Sequence, residues 1–311
     1  MGLNLLVTGA GGFLGQAVVT AAMARGHWVR AIVRRETTLA DGAVAEICDL
    51  GRDAIDLTGI DAVIHCAAAL SGDDAAQERD TVAPTRALVA AIAGMDRPPR
   101  LVLTSSLSVY EYRSLASGST LTEHAALETD ADSRDAYTRA KLAQEAVAQE
   151  ALTDLWLIRA GLIYGPGRVW NAHLGVGIGP MLVRIGGTGE LPLIHLTDCA
   201  EAMVLAAETP IGEPRPLNLI GDDLPDRSRF ITAFRSSGWP KVVVPLPWQI
   251  LDAVRRLLRP FPGLPGLLRP ASLRARMMPL RYVNDAAKSA LGWKPQIPFD
   301  AGIAAALKVT R

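Results

Sequence analysis

Tyr137 and Lys141 stand four residues apart in the stretch YTRAK. On a helix that spacing puts both side chains on one face. A phenol titrates at about pH 10 and is a poor base at neutral pH, but a nearby ammonium favours its ionised form. Such a pair can donate or accept a proton at a carbonyl or an alcohol while hydride moves to or from a nicotinamide ring. The plain alternative is an exposed lysine beside a packed tyrosine. A hydroxyl strengthens the first reading: LVLTSSLSVY runs from an apolar strand into Ser105, Ser106, Ser108 and Tyr110. Ligands of parallel sheets bind beyond the carboxyl ends of the strands. Ser106 is therefore placed to hold a reacting oxygen beside the phenol, unless it simply ends the strand.

Chemistry of this kind needs a scaffold that holds a dinucleotide. The apolar run LNLLV is followed at once by TGAGGFLG, with glycines at 9, 12 and 15. Strand, glycine turn and helix is the setting in which a pyrophosphate binds. The first glycine permits the turn, the second lets backbone approach the phosphates, and the third lets the helix pack close to the strand. The phosphates then face unpaired N–H groups at the helix start. Gly9, Gly12, Phe13, Leu14 and Gly15 are the candidate contacts. After the second strand, AIVRR places Arg34 and Arg35 where an acidic residue would bind the ribose 2′-hydroxyl of NAD. Guanidinium groups suit a 2′-phosphate instead, so NADP is the expected cofactor ahead of NAD, with two solvated arginines as the alternative. Asp49 and Leu50, after the third strand, flank the adenine, or Asp49 caps a following helix.

Short apolar runs at 3–7, 27–33, 43–49, 61–68, 100–106 and 155–161 alternate with helical patterns at 12–25, about 75–94 and 133–152. That alternation predicts an α/β fold with a doubly wound, Rossmann-type parallel sheet. From Gly165 onward glycine and proline are dense, which predicts a smaller, loop-rich C-terminal substrate domain over 166–311. The dinucleotide domain then spans 1–165, with about 193–221 returning to it. Hydrophobic residues make up 49% of the chain, enough for a sizeable core, and the formal net charge of zero argues against a nucleic-acid partner. Cys48, Cys66 and Cys199 are far apart and read as buried free thiols of a reducing compartment, with no metal site. No signal peptide or membrane span is visible, so a cytoplasmic protein is expected.

Taken together, these elements resemble the extended short-chain dehydrogenase/reductase family, including its NAD-dependent epimerase/dehydratase and 3β-hydroxysteroid dehydrogenase groups. TGAGGFLG matches T-G-x-x-G-x-x-G, DAVIHCAA its strand with H-x-A-A, SSLSVY its S-S-x-x-V-Y and YTRAK its Y-x-x-x-K. IRAGLIYGPG, IHLTDCAEA and LGWKPQIPFDAGI are similar to the later family segments, so the likeness covers nearly the whole chain. It implies that Tyr137 is the acid/base, that Lys141 holds the nicotinamide ribose and tunes Tyr137, and that Ser106 binds the reacting oxygen. It implies that Cys66, Ala67 and Ala68 lie along the cofactor, mostly through backbone. It also turns Ser108 and the residues after YGPGR (Trp170, Asn171 and His173) toward the substrate, although a loop histidine is commonly just solvated. A homodimer through the Tyr137 helix would follow the family.

Two departures bear on function. TVAPT puts Thr81 and Pro84 where the family often has N-x-x-G-T. Leu191 stands seven residues before Asp198, where nucleotide-sugar epimerases commonly carry a diphosphate-clamping arginine; Arg184 or Arg168 would have to substitute. The expected activity is NAD(P)-dependent hydride transfer between nicotinamide and a ketone or secondary alcohol on a small or hydrophobic substrate. A nucleotide-sugar epimerase or dehydratase using the same site is the alternative, and a non-catalytic cofactor sensor a minor one. Residues 245–270 read as an amphipathic cover helix, a lid, or a membrane-surface segment.

Overall fold

The structure, a computed structural model, describes residues 2–257 and 270–309. Asn4–Thr8 (β1) leads into Phe13–Ala24 (α1), Trp28–Val33 (β2), Val44–Ile47 (β3) and Ala62–His65 (β4). A helical stretch follows in three pieces: Asp74–Gln77 (α2), a π turn over Glu78–Val82, and Ala83–Ala93 (α3). Next come Arg100–Ser106 (β5), the short Thr120–Leu121 (β6), Ala136–Ala151 (α4) and Leu155–Ala160 (β7). Leu162–Tyr164 (β8), Gly175–Ile178 (β9), Met181–Ile185 (β10) and Leu193–His195 (β11) precede Leu196–Glu208 (α5) and Arg215–Leu219 (β12). The rest comprises Arg227–Phe234 (α6), Val242–Leu246 (β13), Trp248–Leu257 (α7), Pro270–Met277 (α8), Arg281–Tyr282 (β14), Asp285–Leu291 (α9) and Phe299–Val309 (α10).

Seven strands form one parallel sheet in the order β12-β7-β5-β4-β1-β2-β3. The inner strands β4 and β7 are mostly apolar and buried because both faces of the sheet are covered there, whereas the edge strand β3 is largely exposed. Leu5 and Val7 point into a cluster with α1 and α5, while Leu6 points the other way, into a cluster with α3 and α4. Burial of this kind is worth about 1.5–3 kcal/mol per large aliphatic side chain. The turn after β1 depends on glycine. Gly9 has φ of +65°, and a Cβ there would stand 2.7 Å from Ala67 N; one on Gly15 would stand 2.1 Å from Gly9 O. The expected doubly wound sheet is thus present, with β12 and β3 at its two edges. Among the described residues no helix is long and apolar enough to cross a membrane.

Where the sequence pattern predicts one helix to Gly94, the chain makes a π turn, and Pro84 supplies the reason. Proline has no N–H to give to the carbonyl four residues back, and its ring crowds that carbonyl. The backbone widens just before it, so that Ala83 N–H reaches Glu78 O five residues away. Thr81, in the turn, uses its hydroxyl to accept from Ala69 N at 2.8 Å, tying the exit of β4 to this segment. Asp49 likewise differs from one expectation: it caps a turn through Gly51 N at 3.2 Å rather than a helix.

Beneath the sheet's carboxyl end lies a buried polar network. Arg159, 3% exposed, pairs with Glu145, 1% exposed, through Nη2 to Oε2 at 2.7 Å and Nε to Oε1 at 3.0 Å. Ser105 Oγ donates to the same carboxylate. Arg159 Nη1 reaches Tyr110 Oη at 3.1 Å, and that phenol donates to Asn218 Oδ1 at 2.7 Å. The network joins β5, α4, β7 and β12, the elements that carry Ser106 and Tyr137. Trp248 and Leu251 of α7 pack beside Leu273 and Met277 of α8, as a cover helix would. The remainder of the stretch read as a lid, residues 258–269, lies outside the described residues.

Candidate active site

The first part of the site is the open start of α1. Its N-cap is Gly12, with no side-chain cap and no acidic residue in the first turn. The leading N–H groups are left for an anion, which is the arrangement a pyrophosphate requires. A cavity of about 340 Å³ opens there. Of the sequence candidates, Gly9, Gly12, Arg34, Arg35, Asp49, Leu50, Cys66, Ala67 and Ala68 line it. Phe13, Leu14 and Gly15 form the first turn of α1 behind it. The Leu14 side chain packs into the core, and Phe13 lies under the Arg168 guanidinium, 5.4 Å from ring centroid to Cζ. These residues fit a dinucleotide. Thr37, Arg79 and Asp80 also line the cavity and were not legible as candidates. Their only sequence signal is an adjacent charge pair shortly before a helical proline.

Ser106 ends β5, and Tyr137 is the second residue of α4, whose N-cap Asp135 accepts from Thr138 N at 2.9 Å. Both line a second cavity of about 350 Å³. Lys141, one turn further along α4, is 2% exposed. Its Nζ donates to Thr104 O at 2.8 Å and to Gln144 Oε1 at 2.9 Å. From Gln144 the contacts continue through Thr85 to His65 and on to Thr8. Burial, helped by the Lys141 charge, pushes the His65 imidazole down to about 3, so it is neutral.

One expectation needs correcting here. The ammonium was expected to lower the phenol's pKa. Instead Tyr137 is raised above the usual phenol value, because burial outweighs the hydrogen bond from Ser106 and the Arg168 charge. Lys141 Nζ is 5.9 Å from the Tyr137 ring centroid and is held by Thr104 and Gln144. The phenol is therefore a proton donor at neutral pH. Lys141 itself is pushed down from the usual lysine value to about 8, mainly by burial. It loses its charge as pH rises through that value. The alkaline limb of a kcat/KM profile, which reports the free enzyme, is expected near pH 8; a limb at the ordinary lysine value would show that the ammonium is not desolvated.

Ser108, Trp170, Asn171 and His173, the sequence candidates for substrate contact, all line the second cavity. Trp170 is 44% exposed and is braced edge-on by Trp239 at 5.4 Å between ring centroids. Asn171 Oδ1 accepts from His173 N at 3.1 Å. His173 is not the solvated loop residue of the alternative reading. It is half-buried, and burial, then the Arg276 and Arg227 charges, push it down to about 3. Ser272, Ala275 and Arg276 of α8 complete this wall. No motif marks them, since they arrive from far along the chain. Arg168 lines the cavity and has no carboxylate partner among the described residues, whereas Arg276 meets Asp135 at 3.4 Å. Leu191 is fully buried in the apolar core, and Arg184 bonds Ser228 at 3.1 Å away from the cavity lining.

Comparison with known proteins agrees with this fold. The chain is 28% identical over 321 aligned residues to 3-diazoavenalumate denitrifying reductase of a Streptomyces species, covering 95% of this chain and 97% of the relative. Its fold is similar to that of MoeE5 solved with UDP-glucose and NAD (21% identity, TM-score 0.73, 99% and 98% of the two chains covered). It is also similar to UDP-N-acetylglucosamine 4-epimerase of Bacillus cereus (18% identity, TM-score 0.71, 99% and 100% covered). Residues 5–219, well over half of the sequence, match the NAD dependent epimerase/dehydratase family, and the chain belongs to that family.

Proposed function

We propose that this protein is an NAD(P)H-dependent reductase of a ketone on a small, largely apolar substrate, working reversibly on the corresponding secondary alcohol, with NADPH preferred. The observation that carries the reading is the pairing of Ser106 with a protonated Tyr137 phenol in one mostly apolar cavity. When bound, the nicotinamide supplies hydride to the carbonyl carbon. Ser106 Oγ orients the carbonyl oxygen, and Tyr137 Oη gives it a proton as negative charge develops there. Lys141, held by Thr104 O and Gln144 Oε1 one turn along α4, would keep a buried positive charge for the cofactor to meet. Leu107, Leu162 and Trp170 supply the apolar part of the cavity wall that would face the substrate.

A nucleotide-sugar epimerase or dehydratase is the second reading, favoured by the family match and by the fold neighbours. Against it stands the charge of the substrate cavity. A diphosphate needs paired cationic donors, and here Arg168 alone lacks a carboxylate partner while Leu191 is sealed in the core. Relatedness to a reductase points the same way. The test is a panel in which NADPH and NADH oxidation is followed with aryl and alkyl ketones, alongside thermal shifts with UDP- and dTDP-sugars. Stoichiometric cofactor oxidation with a ketone and no shift with any sugar is expected. Stabilisation by a nucleotide sugar, with epimerisation and no net cofactor consumption, would overturn the proposal.

A further inference from the structure

Gln144 stands three residues after Lys141 on α4, a spacing at which two helical side chains meet. It is 1% exposed. Its Oε1 accepts from Lys141 Nζ at 2.9 Å, and its Nε2 donates to Thr85 Oγ1. The second contact fixes which end of the amide faces the lysine. Thr85 Oγ1 gives its one proton to Thr81 O, in the π turn, at 2.7 Å. It can therefore only accept from its other neighbours. Those are the Gln144 amide and His65 Nε2, the latter at 3.0 Å. His65 is then protonated on Nε2, and its bare Nδ1 accepts from Thr8 Oγ1 at 2.6 Å. Thr8, His65, Thr81 and Thr85 are all buried, which leaves water no place in the chain of contacts. With these protons assigned, the oxygen of Gln144 has to face Lys141.

Among the described residues Lys141 Nζ makes two hydrogen bonds, to Gln144 Oε1 and to Thr104 O at 2.8 Å, and no ion pair. The titratable groups packed around it bring no free negative charge at neutral pH. His65 of β4 is neutral, burial pushes the Cys66 thiol up to about 12, and Tyr137 keeps its proton. The Glu145 carboxylate, beside Gln144 on α4, is taken by Arg159. An ammonium has three N–H donors and no acceptor. Resting on the reductase reading, we propose that Gln144 is the positioning residue of Lys141: its carbonyl and that of Thr104 hold two of the three N–H groups, so that one donor is left for a bound ligand and that donor is the proton the group loses. The amine that remains still gives two N–H groups to the two carbonyls, and its lone pair takes the direction of the lost donor. Hydrogen bonds to a charged form favour it, so the Gln144 carbonyl holds the ammonium charged against the cost of burial. Gln144 lines neither of the two large cavities, so it acts through Lys141 alone.

The test reads Lys141 directly in the full chain without added ligand. The sequence has five lysines, so protein labelled with ¹³C at lysine Cε gives a short set of NMR signals, and Lys141→Arg identifies the one that matters. Its shift is followed against pH. Gln144→Met keeps the length of the side chain and removes the carbonyl. It is expected to lower the Lys141 titration by about one to two pH units, the equivalent of one hydrogen bond to a charged group. Gln144→Glu puts an anion at the same reach and is expected to raise the titration by about one pH unit or more. A residue that merely filled space would not move the value in opposite directions. The alkaline limb of kcat/KM for ketone reduction should follow both shifts. A Lys141 titration that stays at the wild-type value in either folded variant, or that moves the same way in both, would overturn the proposal. Should Gln144→Met fail to fold, Gln144→Glu decides it. Opposite shifts of Lys141 in a protein that turns over no ketone would uphold the positioning role and refute the reductase reading instead.

Discussion

Tyr137→Phe is expected to lower ketone reduction by about 10²- to 10⁴-fold, the span typical for loss of a positioned general acid. The variant keeps the ring near Lys141, which Thr104 and Gln144 hold independently, so dinucleotide affinity should stay within about threefold of wild type. Two measurements check this: single-turnover oxidation of NADPH, and fluorescence titration of the same cofactor. The split between them matters because, among the described residues of the cavity, Tyr137 is the phenol with a hydrogen bond to the Ser106 hydroxyl. Near-normal turnover in the variant would remove the proton-donor role and the reductase proposal with it.

Arg159→Met is expected to destabilise the fold by about 3–5 kcal/mol, because it strands a buried carboxylate. Glu145 would keep only the Ser105 hydroxyl as a close donor, and Tyr110 would lose the cation lying 4.8 Å from its ring centroid. Urea unfolding at neutral pH measures the loss. A double variant that replaces Glu145 with Leu as well should recover much of it, since a well-packed apolar pair escapes the desolvation cost. A loss below about 1 kcal/mol in the single variant would mean that water enters the network and screens the pair. The same substitution should also loosen Ser106 against Tyr137, because the network ties β5 to α4 immediately behind them.

The sheet was legible because strands buried on both faces read as uninterrupted apolar runs, and the first turn because Gly9 and Gly15 have no tolerable alternative. The Tyr137–Lys141 pair was legible from its helical spacing only together with the serine at the end of β5 and the family resemblance. The protonation state of Tyr137 was not, because it depends on how deeply the phenol sinks and on where Thr104 and Gln144 hold the ammonium. Nor was the far wall of the substrate cavity. Ser272 and Arg276 reach it by tertiary packing, with nothing local to announce them. Thr81 and Pro84 were visible only as departures from a familiar pattern. Their meaning appears when the backbone is followed: one stitches the loop after β4, and the other widens the helix.

That widening has an evolutionary consequence. A π turn holds one residue more than the α-helical path it replaces, and each residue of an α-helix advances by about 100°. Removing a single codon between Glu78 and Val82, together with exchange of Pro84 for alanine, would restore an even helix and swing Arg79 and Asp80 about a quarter-turn around its axis. A lineage could thus re-aim two charged side chains at the rim of the cleft beside the start of α1 by one small indel.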